Sequence, residues 1–244
     1  MSTNKSTWKK LTSMRLFMPL VCLLAIIIVA TITIPGFLSM SLKNGVPYGY
    51  PVDVINRASE LVILSVGMTL VTAASGGQDI SVGAVMAVAG AVCWQILSGG
   101  EVSVNSLSAP IIVAFLAAVV ASGICGAFNG LLVSYLNVQP MVATLILFSA
   151  ARAIGLLLCN NMIVYVREDS FKIFGGYLGF IPTPIVVAAV CIIITSLILK
   201  KTALGLYVQS VGINKKASRI AGIKSERIIF LCYIVCGLCA GIAG

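Results

Sequence analysis

Histidine is missing from this chain altogether, and Lys, Arg, Asp and Glu together make up only 9% of its 244 residues. Without imidazole there is no usual proton relay, and the commonest metal ligand is gone. Also lacking is the nucleotide-binding pattern G-x-x-x-x-G-K-[ST]. Gly-rich phrases such as Gly76-Gly77-Gln78-Asp79-Ile80-Ser81-Val82-Gly83 carry no lysine to reach a phosphate. No Cys/His pair is available for nucleophilic catalysis. The chain reads as a non-enzyme that binds no cofactor and hydrolyses no ATP itself.

Cysteine is present, eight times, yet seven of the eight lie inside apolar runs and Cys159 stands at the end of one. They read as small packing residues. Cys232, Cys236 and Cys239 share a helix face, but no His, Asp or Glu stands beside them to complete a metal site.

What the chain has in excess is apolar surface. Hydrophobic residues fill 59% of it, more than a single soluble core of ordinary composition accommodates. A helix crosses the hydrocarbon core with about 20 apolar residues. Candidate runs fall at 16–39, 61–74, 80–97, 109–136, 141–159, 181–199 and 228–244, the second being short unless it begins near Val54. The expected fold is all-α: a polytopic transmembrane helical bundle over 16–244, preceded by a basic cytoplasmic segment at 1–15. The first run is too long for a cleaved signal peptide and reads as an anchor that stays.

The formal charge of +9 gathers in residues 5–15 and 200–227, outside the apolar runs. That distribution fits topology and anionic lipid rather than nucleic acid. From a cytoplasmic N-terminus, six crossings return the chain to the cytoplasm near Lys200. The cation cluster there agrees, because Lys and Arg in short loops are retained inside.

Two connections are short. Gly76-Gly77-Gln78-Asp79 reads either as a cytoplasmic turn or as a break inside the bundle, which irregular backbone tolerates where it lines a cavity. Asn137-Val138-Gln139-Pro140 closes one helix and starts the next. Small residues recur every four positions at Gly83, Ala87 and Ala91, at Gly126 and Gly130, and at Gly237 and Gly241. Such faces let helices approach closely in lipid, within the chain or across a dimer seam.

Five polar residues are candidates for a substrate path: Gln78, Asp79, Ser81, Asn129 and Arg152. Three of them have a plainer alternative. Asp79 is placed to cap the next helix, Asn129 to bond between helices, and Arg152 to snorkel to the outer interface. The polar segment 202–225 is the other candidate site. Within it Lys215 to Ala221 predicts one or two helical turns ended by Gly222 in the left-handed region, with Ala217, Ile220 and Ala221 apolar among cations. A solvated positive-inside loop is the alternative there.

Three phrases carry a resemblance: Gly76-Gly77-Gln78-Asp79-Ile80-Ser81-Val82-Gly83-Ala84-Val85-Met86-Ala87, then Gln139-Pro140-Met141-Val142-Ala143-Thr144-Leu145, then Val211-Gly212-Ile213-Asn214 through Ala221-Gly222-Ile223 to Ser225. In order and spacing the chain resembles the permease subunits of bacterial ABC importers for monosaccharides. Asn56-Arg57-Ala58 and Ser65-Val66-Gly67-Met68-Thr69-Leu70 bring it nearest the galactofuranose-type members of the ribose, galactose and galactofuranose branch.

The resemblance implies a B12-importer-like type II architecture of roughly ten spans, about seven of them present, in the bacterial inner membrane. It implies a likeness to subunits that work as a homodimer with a cytoplasmic cassette ATPase, which uses ATP-Mg, and an extracytoplasmic sugar-binding protein. Gly212, Asn214, Lys215, Ala217, Arg219, Ala221 and Gly222 then correspond to the coupling segment that docks on the ATPase. Two positions depart from the family: Gln78 replaces an aliphatic residue, and Ala153 replaces a glycine after Arg152. Because Gly244 falls within an apolar run, the resemblance also implies a C-terminally incomplete form. An ion-coupled secondary transporter using Asp79 and Arg152, or a non-transporting membrane scaffold, are the other classes these residues allow.

Overall fold

Each of the seven apolar runs becomes a helix, since a helix satisfies every backbone group within its own segment. The computed structural model describes residues 17–43, 46–104, 106–168, 175–178 and 180–244; the basic segment 1–15 lies outside them. The chain divides into two compact units, Met1–Ile55 and Asn56–Gly244. In the first, α1 (Phe17–Thr33) is followed by an antiparallel ribbon of β1 (Ser41–Lys43) and β2 (Val46–Tyr48), with Ser41 opposite Tyr48. The Phe37 and Tyr50 rings stack at 5.9 Å. No residue of α1 is buried.

The unit boundary falls within α2 (Tyr50–Ser75), and the second unit continues with α3 (Val82–Ser98), α4 (Ile111–Ser134) and α5 (Pro140–Leu158). Then come α6 (Thr183–Lys201), α7 (Ala203–Ile213), α8 (Lys215–Ile220) and α9 (Ser225–Ala243). Between α3 and α4, β3 (Ser103–Val104) pairs in parallel with β4 (Tyr165–Val166), which follows α5. A short ribbon, β5 (Tyr177–Leu178) with β6 (Ile181–Pro182), leads into α6. Helix ends follow local chemistry. Gly99 ends α3 in the left-handed region at φ 64°, and prolines open α5 and α6, where a missing N–H costs nothing.

Five of these helices, α2, α4, α5, α6 and α9, are long and apolar enough to cross a membrane. Two of the seven expected spans are shorter: α1 and α3 have 17 residues each. Segment 202–225 also differs from the expected loop. Ala203–Ile213 is helical, capped by the Thr202 hydroxyl accepting from Leu204 N at 3.3 Å, and it buries Gly205, Val208 and Val211. Charge at its ends had marked as polar a stretch whose middle is apolar every third residue.

The core is organised around α9. Ile229, Cys232, Tyr233 and Cys236 pack with Leu70, Val71 and Ala74 of α2, Val133 of α4, and Val208 and Val211 of α7. Ala240 joins Ala84, Val85 and Val88 of α3 with Leu147 and Ala151 of α5. Cys239 meets Ile63 and Ala188, and Ala188 is the buried residue of α6. The cysteines of α9 thus sit among aliphatic side chains as packing residues.

Close approach of α9 and α4 depends on glycine. A Cβ on Gly126 would strike the Tyr233 carbonyl, and one on Gly237 the Ser122 carbonyl; backbone, unlike a flexible side chain, does not yield. These two small-residue stripes therefore meet each other within the chain. Gly155 lies against Ala87, so part of the third stripe faces α5, while Gly83 faces open space. Replacing Gly237 with Ala is expected to destabilise the fold by about 1–3 kcal/mol, the usual cost of overpacking. Unfolding in mixed micelles checks this, with Gly83→Ala as a neutral control.

Candidate functional site

The two short connections meet. Gly76, at φ 69°, ends α2, and the backbone stays non-helical until α3 begins at Val82. A Cβ on Gly77 would overlap the Pro140 ring, so the connection lies directly against the first residue of α5. Its polar groups are taken up by protein. Ile80 N donates to Thr144 Oγ1 at 3.3 Å, and Asp79 N contacts Met68 Sδ at 3.3 Å.

At the centre is Asp79, which is buried, as are Ser81, Asn129 and Thr144. Its Oδ1 accepts from Ser81 N at 2.9 Å and from Ser81 Oγ at 2.6 Å. Asn129 reaches across from α4, donating through Nδ2 to Ser81 Oγ at 2.9 Å and to Asp79 Oδ1 at 3.5 Å. Asp79 therefore closes the turn that leads into α3 by taking the Ser81 amide, as a capping carboxylate does, while Ser81 itself makes no side-chain cap. Asn129 ties that turn to α4 and keeps a buried Oδ1 without a partner among the described residues.

Gln78 and Arg152 lie apart from this cluster. Both are exposed, and Arg152, on α5, makes no ion pair among the described residues. Sequence inspection missed Thr144 and Tyr233. Thr144 is a hydroxyl within an apolar run, which was a usable signal; Tyr233 is the largest fully buried side chain and nothing in its local pattern marks it.

The second candidate region is a helical corner. Asn214 Oδ1 accepts from Lys216 N and Ala217 N, both at 3.0 Å, and so starts α8. Gly222, at φ 85°, turns the chain after it, and Ile223 N closes onto Ser218 O at 2.9 Å. Arg219 pairs with Glu226 at the start of α9. Ser225 Oγ donates to Lys215 O at 3.3 Å, bracing the other side. Burial, assisted by the Arg219 charge, lowers the Lys215 pKa from its usual range.

This braced corner presents apolar side chains outward. Ile220 is 89% exposed and Ile213 86%, with Ala217 and Ala221 exposed beside them and Lys216, Arg219 and Lys224 around the rim. Inward, Gly212 lies against α2, where any Cβ would overlap the Ala73 carbonyl. The corner therefore touches α2 three residues before the Gly76 break.

A family model described as "Branched-chain amino acid transport system / permease component" matches residues 50–244. The chain belongs to this permease family. It is 41% identical over 226 residues to the galactofuranose transporter permease protein YtfT of Escherichia coli (strain K12), covering 92% of this chain and 64% of that protein. It is 34% identical over 243 residues to the fructose import permease protein FruF of Bifidobacterium longum (strain NCC 2705), covering 97% and 66%. With the ribose import permease protein RbsC of Escherichia coli (strain K12) it shares 32% over 231 residues, covering 92% and 66%. The chain thus spans 64% to 66% of the length of these relatives. No solved structure matches it.

In this permease, Asn129→Leu strips donors from Ser81 and Asp79 while both remain buried. It is expected to lower stability by about 0.5–1.5 kcal/mol, the net worth of a hydrogen bond, because Ser81 and Asp79 keep each other as partners. Thermal unfolding in detergent checks this, with Asn129→Gln retaining part of the loss through its longer reach.

Proposed function

We propose that this chain is the membrane-spanning permease subunit of an ATP-driven importer of a monosaccharide, and that the α7–α8 corner is where a cytoplasmic cassette ATPase grips it. The observation that carries the proposal is Ile220, almost fully exposed on a helix fixed at both ends by Asn214 and the Arg219–Glu226 pair. A long aliphatic side chain ringed by cations gains free energy by entering an apolar pocket with an acidic rim, as the central anchors of protein interfaces do. Ala217, Ala221 and Ile213 broaden the contact, and Lys216 and Arg219 steer it.

The sugar class comes from the relatives, whose names give galactofuranose, fructose and ribose as cargo. By likeness to such importers we also propose a second copy of this subunit, an extracytoplasmic sugar-binding protein, ATP-Mg used by the ATPase alone, and residence in the bacterial inner membrane; the basic residues of the N-terminus favour its lying inside. Two conformations of the bundle are biased by differential contacts at α8. Contact between Gly212 and the Ala73 carbonyl passes that bias to α2 and the break beyond it.

Ile220→Asp is expected to abolish co-purification of the ATPase while membrane insertion and bundle stability stay unchanged, since the side chain touches little within the chain. Ala217→Asp and Ala221→Asp should act in the same direction. Pull-down from detergent-solubilised membranes is the measurement, and retention of the ATPase by Ile220→Asp counts against docking at α8.

A further inference from the structure

Along α2 runs a groove of about 660 Å³ lined by Leu61, Ser65, Met68, Thr69, Thr72 and Val82 among others, a volume within the roughly 300–1,000 Å³ typical of small-molecule sites. Ser65, Thr69 and Thr72 follow one another at steps of four and three and so share one helix face; all three are exposed. Arg57, two steps of four before Ser65, is exposed on the same face, and Gln78 is exposed beyond its end.

On α4 and α6 the outward side chains are different in kind. On α4 they include Ile112, Val113, Leu116, Val120 and Ile124, and on α6 Ile192, Ile193, Ile194 and Leu197. Of the five spanning-length helices, α2 has the lowest mean hydropathy. Back-bonding makes a single hydroxyl tolerable in lipid. Beyond Leu61, which is itself exposed on this stripe, three hydroxyls follow on one face with an amide past its end; together they are costly in lipid, and such residues turn toward a wet interior.

The hydroxyl geometry narrows what the face can hold. Ser65 Oγ donates to Val62 O at 2.8 Å and Thr69 Oγ1 to Ser65 O at 2.7 Å, so both protons are already committed to the helix. What these two residues offer outward is oxygen lone pairs, which suit a ligand rich in O–H donors. Met68 and Val82 supply apolar surface beside them. Asp79, Ser81 and Asn129 are buried and bonded to one another, and they are not among the residues that line the groove.

We propose that this face of α2 is the wall along which a neutral polyhydroxylated monosaccharide moves, its hydroxyls donating in turn to Ser65, Thr69 and Thr72 while its C–H surface rests on Met68 and Val82. The assignment rests on the sugar-permease function proposed above. From Ser65 to Thr72 is about 10 Å along the helix at 1.5 Å per residue. Three weak acceptors over that length hold the sugar without trapping it.

The test places Cys singly at Ser65, Thr69 and Thr72, with Ile193→Cys as the lipid-side control, in vesicles holding the chain, its ATPase and its binding protein. Labelling by a charged, membrane-impermeant thiol reagent is read as the gain over the parent chain, which has its own cysteines. The expected result is rapid labelling at all three α2 positions and not at Ile193→Cys, slowed by whichever of ribose, fructose or galactofuranose the vesicles take up. Thr69→Val, which keeps the shape and removes the acceptor, should reduce uptake at low sugar by about two- to tenfold, the value of one neutral hydrogen bond.

Labelling no faster than at Ile193→Cys means a lipid-facing α2 and overturns the proposal. Oxidative cross-linking of Thr69→Cys to its own copy without labelling means a dry seam between two subunits, and overturns it equally. If the parent takes up sugar but sugar never slows the labelling and Thr69→Val transports normally, the path lies elsewhere. If the α2 positions label but the parent takes up none of the three sugars, the groove is wet and the sugar function itself fails.

Discussion

The turn between α2 and α3 is held by one buried carboxylate: the Oδ1 of Asp79 takes the Ser81 amide, the Ser81 hydroxyl and the Asn129 side-chain amide. Shielded from water, a carboxylate is tolerated only with such partners. Asp79 Oδ1 fixes the turn, Asn129 anchors it to α4, and Thr144 anchors the next amide to α5. Gly77 against Pro140 then leaves no slack. The directions of α2 and α3 follow from that turn, and with them the groove on one side and the Ala73 contact on the other.

The α7–α8 corner is built on a different principle. α8 is only six residues long, too short to be stable alone because helix nucleation is unfavourable. It exists because Asn214 starts it, Gly222 stops it, and Arg219 and Ser225 tie it to neighbouring turns. Both ends of α8 are thereby fixed, and at Gly212 the corner meets the Ala73 carbonyl of α2 without an intervening side chain. Bundle core and corner thus join at α2, which touches both.

Composition and run length were enough to read helices at all seven apolar positions, because a lipid-facing surface demands nearly continuous apolar sequence. Length misled at the first and third runs, where apolar residues continue past the helix ends into Ile34–Ser39 and back to Ile80. Segment 202–225 was read as a loop because Lys200, Lys201 and the cations after Asn214 dominated its composition, hiding the buried spacing of Gly205, Val208 and Val211. The polar candidates were legible as residue types but not as partners. Asp79, Ser81 and Asn129 stand 48 and 50 residues apart across the bundle, and no local pattern reports such a pairing. Thr69 and Ser65 were quoted for their resemblance alone, since one hydroxyl in an apolar run carries little meaning until the face it shares is known.

At the centre of the second unit stands α9, which comes later in the chain than the helices α2, α3, α4 and α5 that pack on it. Helices α2, α3, α4 and α5 therefore enter the membrane before the element they enclose has been synthesised. Until it arrives, Gly126, Ala84 and Val71 border an unfilled seam that lipid tails or an insertase must occupy. A pause in translation just before α9 leaves the ribosome would accordingly leave an assembled rim around a missing axle.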